Sequence, residues 1–358
     1  MLRPEAVRRH WRLSDDRPGT LSHMPPQPRR SVHDDGVRAV VDSDPHHDGL
    51  SVVHSRQPDD LGGVFLSLAS PCFETPDERK ANYSKLRSLG LDDKILYSTV
   101  RIKQFYIAHR GRVYVSYSGG KDSTVLLHLV RSIYPDVPAV YIDTGLEFPE
   151  LRDHVKATEN VTWLKPDRTF KQVIIDEGYP VVSKQVAKVV DQAQRGQPNG
   201  LHRLSFEGKY GFSRYAYLKD APFRVSERCC DVMKKRPAKA YHKETGRCPY
   251  LGTHADESDL RMDTWEKNGE NIESTRIPSS SPLSIWTEQD VWDYIHRFGL
   301  SYPSVYDMGY RRTGCIFCMF GITVDRDRFL RFKATHPKQW AFCMRPIDGG
   351  GAWIEGGA

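Results

Sequence analysis

Six consecutive residues, Ser118-Gly119-Gly120-Lys121-Asp122-Ser123, have the make-up of an anion cradle. Two glycines let successive backbone N–H groups turn toward one point, a following helix adds the positive end of its dipole, and Lys121 adds a full charge. The spacing is too short for the Gly-x-x-x-x-Gly-Lys-Ser/Thr loop of the common nucleoside triphosphatases. Sulfur supplies the second reactive set. The chain has seven cysteines, Cys72, Cys229, Cys230, Cys248, Cys315, Cys318 and Cys343. Cys229-Cys230 and Cys315-Ile316-Phe317-Cys318 form two close pairs. A Cys-x-x-Cys turn places two thiolates on one metal and a distant pair can complete a four-sulfur site, whose count suits zinc as well as iron. Arg228, Lys234, Lys235 and Arg236 follow or flank the first pair, and Arg311 and Arg312 precede the second. Their charge stabilises thiolates and an anionic centre. Cys343 could replace one of the adjacent pair as ligand. Cys72 and Cys248 have no metal-like partner nearby in sequence.

The elements that position these residues follow from period and punctuation. Apolar residues at helical spacing run from Tyr97 to Ala108 and stop near His109-Arg110-Gly111. Val113-Tyr114-Val115-Ser116-Tyr117 is a strand leading into the glycines, and an apolar helix follows from Ser123 to Val130. Ala139-Val140-Tyr141-Ile142 predicts a second strand running into Asp143-Thr144-Gly145, with a helix from Pro149, a residue suited to a first helical position. Val161-Thr162-Trp163-Leu164 predicts a third. This alternation predicts an α/β fold, a mainly parallel twisted sheet with helices on both faces, and a C-terminal cysteine-bearing helical region. Ligands of such sheets sit at the carboxyl ends of the strands, where both marked loops lie. Thr287 predicts the N-cap of a later helix, with Asp290 closing a capping box.

The chain is 358 residues long and 39% hydrophobic, enough for an ordinary core. Its first residues, about 1–75, are rich in Pro, Asp, His, Arg and Ser and predict a disordered extension. A helical lead-in over 76–110, a nucleotide-binding domain over 111–280, a helical Cys-x-x-Cys region over 281–345 and a flexible tail over 346–358 complete the expected organisation. No run approaches the ~18 apolar residues of a membrane span, and no secretory segment opens the sequence, so no membrane partner and a cytoplasmic location are expected. An odd cysteine number in such a chain favours metal or redox chemistry over disulfides. The net charge of +6 is mild and suits polyanionic substrates without requiring nucleic acid.

Ser-Gly-Gly-Lys-Asp-Ser after a strand resembles the PP-loop of the ATP pyrophosphatase and sulfonucleotide reductase superfamily. Three further segments extend the likeness. Asp143-Thr144-Gly145-Leu146-Glu147-Phe148-Pro149-Glu150 resembles the second nucleotide loop, and Gly252-Thr253-His254-Ala255-Asp256-Glu257-Ser258-Asp259-Leu260-Arg261 resembles a Gly-x-Arg-x-x-Glu-Ser-x-x-Arg segment. The stretch from Pro282 to Trp292 resembles Pro-Leu-x-x-Trp-Thr-x-x-Asp-Val-Trp. The resemblance implies an adenine nucleotide alpha hydrolase-like fold and an adenine nucleotide as substrate, with magnesium beside it. Ser118, Gly119, Gly120, Lys121, Asp122 and Ser123 would bind its phosphate or sulfate. Asp143, Thr144 and Gly145 would line the pocket, and Lys234, Lys235, Arg236, His254, Glu257 and Arg261 would complete it. His254 stands where the family has arginine, so its charge there depends on pH.

The Cys-Cys plus Cys-x-x-Cys layout is similar to adenylyl sulfate reductases, which implies a 4Fe–4S cluster on Cys229, Cys230, Cys315 and Cys318, with zinc as the alternative. Those enzymes also carry a nucleophilic cysteine in a Glu-Cys-Gly-x-His tail, and a thioredoxin-like electron donor is implied with it. The sequence ends without that tail. Either Cys343 is the nucleophile, or the protein activates a nucleotide and transfers sulfur without the reductase step. The leading expectation is a sulfonucleotide-reductase-like enzyme acting on adenylyl sulfate or its 3′-phosphate. An ATP pyrophosphatase that activates DNA, RNA or a small molecule for sulfur insertion is the second, with a sulfur-transfer protein as partner. A non-catalytic nucleotide-sensing subunit is the third. From Asp220 to Arg247 eight Lys or Arg face four acids, and Phe206, Tyr210 and Phe212 lie among further basic residues, a mixture that suits nucleic acid or a nucleotide's phosphates.

Overall fold

Short β-rich runs separated by amphipathic helices build one six-stranded sheet in the computed structural model, which describes residues 76–349 apart from 209–210, 317 and 323–324. The extension expected over 1–75, with Cys72, lies outside the described residues, as does most of the tail expected over 346–358. Two helices lead in, α1 (Pro76–Arg87) and α2 (Leu91–Ala108). α2 begins at Leu91 rather than Tyr97. Its polar first turn conceals a core contact, because the Lys94 ammonium, 2% exposed, pairs with Asp290 at 2.6 Å. Asp92 and Asp93 there also suit the positive end of the helix dipole.

The chain then alternates: β1 (Val113–Ser116), α3 (Lys121–Arg131), β2 (Ala139–Ile142), α4 (Pro149–Lys156) and β3 (Val161–Leu164). A long connection follows through α5 (Phe170–Glu177), α6 (Lys184–Gln194), α7 (Pro198–Ser205), a 3₁₀ stretch (Ser213–Asp220) and α8 (Arg236–Thr245). It ends in β4 (Cys248–Leu251), after which come α9 (Asp259–Asn268), β5 (Asn271–Ile272), β6 (Ser279–Ser280) and α10 (Glu288–Phe298). α11 (Arg328–Thr335) and α12 (Pro337–Cys343) follow, and a 3₁₀ turn over Ile347–Gly349 ends the described chain. The strand order is β3-β2-β1-β4-β6-β5, with every pair parallel except β5 against β6. Val115 stands beside Ala139 on one side and Tyr250 on the other. The order reverses at β1, so the crevice between β1 and β4 is the switch point where such sheets take ligands.

β1 is central and buried on both faces, which explains its unbroken apolar character. Val113 and Val115 join a core with Phe105 of α2, Val125 and Leu129 of α3, and Val291 and Ile295 of α10. Tyr114, pointing the other way, meets Tyr241 of α8 edge-on at 5.1 Å. Helices therefore cover both faces. Leu283, Ile285 and Trp286 belong to the same core as the sheet, so packing runs without a break across residues 280 and 281. Trp286 is fully buried and donates its indole N–H to Ser98 at 2.9 Å. The capping box of α10 forms between Thr287 and Asp290. A separate cluster gathers Phe148 and Leu151 with Val305, Tyr306, Tyr310, Ile316, Phe332 and Cys343, fastening the C-terminal segment to the start of α4. No helix among the described residues is long and apolar enough to cross a membrane.

Candidate nucleotide and cysteine site

The phosphate loop is shaped by backbone constraints before any side chain acts. Gly119 has φ +75°, and a methyl on it would lie 2.6 Å from Val155 Cγ2. Only glycine takes this turn without strain. On the opposite side Gly252, just beyond β4, lets that strand end pass the start of α3, since a methyl there would stand 3.2 Å from the Asp122 carbonyl. The Ser118 and Ser123 hydroxyls pair at 3.0 Å, and Ser123 also donates to the Gly120 carbonyl at 2.9 Å. Gly120 caps α3 without a side chain, leaving the first-turn N–H groups for other partners.

Lys121 is 5% exposed, and its ammonium lies 3.0 Å from Asp122 and 3.8 Å from Glu288. Asp122 is the electrostatic pivot. Burial pushes its carboxyl up, but the neighbouring His254 and Lys121 outweigh burial and hold it at about 2. His254 Nε2 stands 3.4 Å from Asp122 Oδ1, short of hydrogen-bond geometry and without another partner. The His254 amide donates to Glu257 at 2.9 Å. Glu257 also pairs with Arg261 in close contact and with Arg312 at 3.7 Å, so three of the expected residues form one chain leading toward the Cys315 segment.

The second loop is organised by a residue outside the expected set, Glu147. Thr144 donates its amide and hydroxyl to the Glu147 carboxylate, at 3.2 and 2.7 Å. Asp143 accepts the Gly145 amide at 3.1 Å and pairs with Arg152 at 2.7 Å. Gly145 takes the turn at φ +74°. Glu147 then reaches Lys234 at 3.9 Å.

Cys229 and Cys230 precede a π turn over Asp231–Lys235, closed by the Arg236 amide on the Asp231 carbonyl. Such turns re-aim a helix and recur at functional sites. This one turns Lys234 inward while Lys235 stays exposed and Arg236 pairs with Asp231 at 3.6 Å. Cys229, Cys230, Cys315 and Cys318 line one cavity of about 20 Å³, walled by Leu146, Phe170, Pro180 and Met233 with Lys234 beside them. The adjacent Cys229, helped by Lys184, Lys234 and Lys235, lowers Cys230 against burial, and Cys230 together with burial raises Cys229. Burial raises Cys315 against the pull of Lys234. Burial works against the Lys234 ammonium, yet Cys315, Glu147 and Cys230 raise its pKa. Four sulfurs thus line one cavity, the number that a four-sulfur centre takes. Among the described residues, no three His, Cys, Asp or Glu stand close enough to share a metal ion, so binding one would require the two cysteine segments to draw together. Cys343 is not part of this wall. It is buried at the end of α12, and burial raises its thiol to about 12.

Sequence reasoning passed over Tyr306, Thr313 and Arg328, which carry no motif of their own, and gave no role to Glu147, which lies inside the second nucleotide loop. Tyr306 accepts the Lys121 amide at 2.9 Å, and Arg328 donates to the Cys315 carbonyl at 2.9 Å.

The phosphoadenosine phosphosulfate reductase domain matches residues 112–194 and 184–320. An uncharacterized protein of Methanocaldococcus jannaschii is 28% identical over 242 residues, 66% of this chain and 48% of that protein, so the chain spans about half the length of this relative. The adenosine 5′-phosphosulfate reductase of Staphylococcus haemolyticus is 26% identical over 239 residues, 64% of this chain and 80% of that enzyme. The solved phosphoadenylyl-sulfate reductase of Candida auris, in its phosphate complex, is 17% identical, with a TM-score of 0.38 over 67% of this chain and 95% of that one. The two matched segments together run through the phosphate loop, both cysteine pairs and every strand of the sheet, and the chain belongs to the phosphoadenosine phosphosulfate reductase family.

Proposed function

We propose that the protein is a sulfonucleotide-reductase-like enzyme that binds adenylyl sulfate or its 3′-phosphate at the phosphate loop and carries out sulfur chemistry at the four-cysteine cavity. The observation carrying this reading is that one residue serves both sites. Leu146, in the loop after β2, lines the cysteine cavity, and its carbonyl accepts the Ile316 amide from the Cys-x-x-Cys turn at 2.7 Å.

In this reading the N–H groups of Gly120 and Lys121, the Ser118 and Ser123 hydroxyls and the Lys121 ammonium hold the phosphate or sulfate, with magnesium beside it. Asp143, Thr144 and Gly145 line the nucleotide pocket. His254, Glu257 and Arg261 flank it. Lys234 stands between Glu147 and the cysteines, where its charge faces both the bound anion and the thiolates, and Lys235 and Arg236 add to the field. These preorganised donors would stabilise charge developing on the leaving nucleotide. Cys229, Cys230, Cys315 and Cys318 would hold a 4Fe–4S cluster, or zinc in its place. A cluster there would supply a polarisable anionic neighbour to the sulfate.

Reduction needs a thiolate that attacks the sulfate sulfur, expels the nucleotide and is left as an S-sulfonate. A dithiol donor of the thioredoxin type would then release sulfite and take up the oxidation as its disulfide. Cys343 reaches that role only if α12 leaves its apolar seat, since a thiol raised to about 12 is a poor nucleophile at neutral pH. That burial favours a second reading, in which ATP is cleaved to pyrophosphate to activate a nucleic acid or small-molecule acceptor for sulfur transfer, with a sulfur-donor protein as partner.

Anaerobic purification, an absorption spectrum and iron and sulfide analysis test the site. Incubation with adenylyl sulfate, its 3′-phosphate and ATP, scoring sulfite and pyrophosphate, tests the reaction. Iron with sulfite release supports the first reading, iron with pyrophosphate alone the second, and a colourless zinc protein removes the cluster. Lys121→Ala should weaken nucleotide binding on the order of 10- to 100-fold, the size of a charge-assisted contact.

A further inference from the structure

Tyr306 reaches the phosphate loop from the C-terminal segment. Its hydroxyl accepts the N–H of Lys121, the first donor of α3, across 2.9 Å. The Lys121 ammonium lies 5.8 Å from the centre of its ring. Thr313 Oγ1 stands 3.4 Å from the same hydroxyl. A methyl on Gly120 would lie 3.0 Å from Thr313 Oγ1 and 3.1 Å from the Tyr306 hydroxyl, so both groups press on the loop where an anion would sit. Tyr306 is 9% exposed, and burial raises its phenol to about 12, which keeps it neutral.

A neutral hydroxyl is a weaker acceptor than an oxyanion for the same N–H. An anion entering the loop therefore takes the Lys121 amide from Tyr306. The ring stays packed against Trp292, 5.6 Å away and nearly perpendicular. The freed hydroxyl must find another partner. Tyr306 ends the 3₁₀ turn Ser304–Tyr306, and it shares an apolar cluster with Phe148 and Ile316. Thr313 precedes Cys315 by one glycine. A shift at the hydroxyl thus has a short packed route to the Cys-x-x-Cys turn.

We propose that Tyr306 is a positioning residue that holds the Lys121 amide until an anion takes it, and that this exchange is transmitted through Thr313 to the cysteine cavity. The proposal rests on the nucleotide reading above. Calorimetric titration with phosphate, adenylyl sulfate and ATP, on the wild type and Tyr306→Phe, separates the two. The phenylalanine keeps the ring packing and removes only the hydroxyl. It should bind the anions on the order of fivefold more tightly, the worth of one neutral hydrogen bond. Amide hydrogen exchange gives the second readout. Ligand should alter exchange over residues 304–318 in the wild type and leave it unchanged in Tyr306→Phe. Equal or weaker affinity in Tyr306→Phe, or the same exchange response in both proteins, overturns the proposal while leaving the nucleotide reading standing. Absence of binding by either protein removes both.

Discussion

The Ile316 amide donates to the Leu146 carbonyl across 2.7 Å. The bond joins the middle of the Cys-x-x-Cys turn to the loop that follows β2, and it is made of backbone on both sides. Side-chain replacement at either position leaves it intact. Thr144 and Glu147 fix the Leu146 end through their mutual hydrogen bonds, while Arg328 fixes the other through the Cys315 carbonyl. The nucleotide loop and the cysteine turn therefore move together or break a buried hydrogen bond, a loss of about 1 kcal/mol or more.

Gly119→Ala tests how much the phosphate loop depends on its turn. The left-handed conformation costs roughly 1–2 kcal/mol for a residue with a side chain, and the new methyl also meets Val155 at 2.6 Å and the Leu151 carbonyl at 3.1 Å. Crowding of that kind adds a further ~1–3 kcal/mol. Urea unfolding should show a loss of about 2–5 kcal/mol with an unchanged slope. A loss under about 1 kcal/mol would mean that the loop relaxes freely.

Asp122 gives an acid limb to stability. Its carboxyl is held at about 2, below the ordinary value of 3.8, so the folded state binds this proton less readily than the unfolded chain. The contribution is present above the unfolded value and is lost as pH falls through the folded one. Denaturation midpoints of the wild type should drop between about pH 4 and pH 2, and Asp122→Asn should flatten that drop. Parallel curves for the two proteins would show that the charge of Asp122 is not what His254 and Lys121 stabilise.

Much of this arrangement was legible from residue order alone. Ala139–Ile142, Val161–Leu164 and the Pro149 helix start coincide with the observed elements, because each is a short apolar run with a clear boundary. β4 was not legible. Cys248-Pro249-Tyr250-Leu251 contains a proline, which argues against a central strand, yet it pairs with β1 along its whole length. The two-residue strands β5 and β6 leave no periodic signal at all. In the site, the glycines, Lys121 and the cysteine pairs were visible as motifs. Tyr306 was not, since its role arises from a tertiary contact 185 positions from Lys121 in the chain. Glu147 lay inside a recognised segment, but its hydrogen bonds to Thr144 depend on a turn that only the fold fixes.

Cys343 should be inert in the native protein. It sits among Phe148, Phe332 and Trp340, and its thiol is raised to about 12 by burial. Iodoacetamide at pH 8, followed by mass spectrometry, should leave Cys343 unlabelled until denaturant is added. Rapid native labelling would show that α12 opens readily, and would return Cys343 to the position of nucleophile.

Arg328 carries a buried charge whose use is open to measurement. The residue is 6% exposed, its Nη2 serves the Cys315 carbonyl, its Nε has no partner, and no ion pair to it occurs among the described residues. An unpaired buried guanidinium lowers stability, so an apolar replacement of similar length need not destabilise the fold. The charge does, however, lie beneath the turn that carries Cys315 and Cys318, where it would offset thiolate charge on a bound metal. Arg328→Met should therefore unfold within about 1 kcal/mol of the wild type, yet lose metal to a chelator on the order of tenfold faster, as neighbours that orient a ligand commonly require. Arg328→Lys, which restores the charge without the forked donors, should recover part of that retention. Equal chelation rates in all three proteins would assign Arg328 to holding the loop's shape alone.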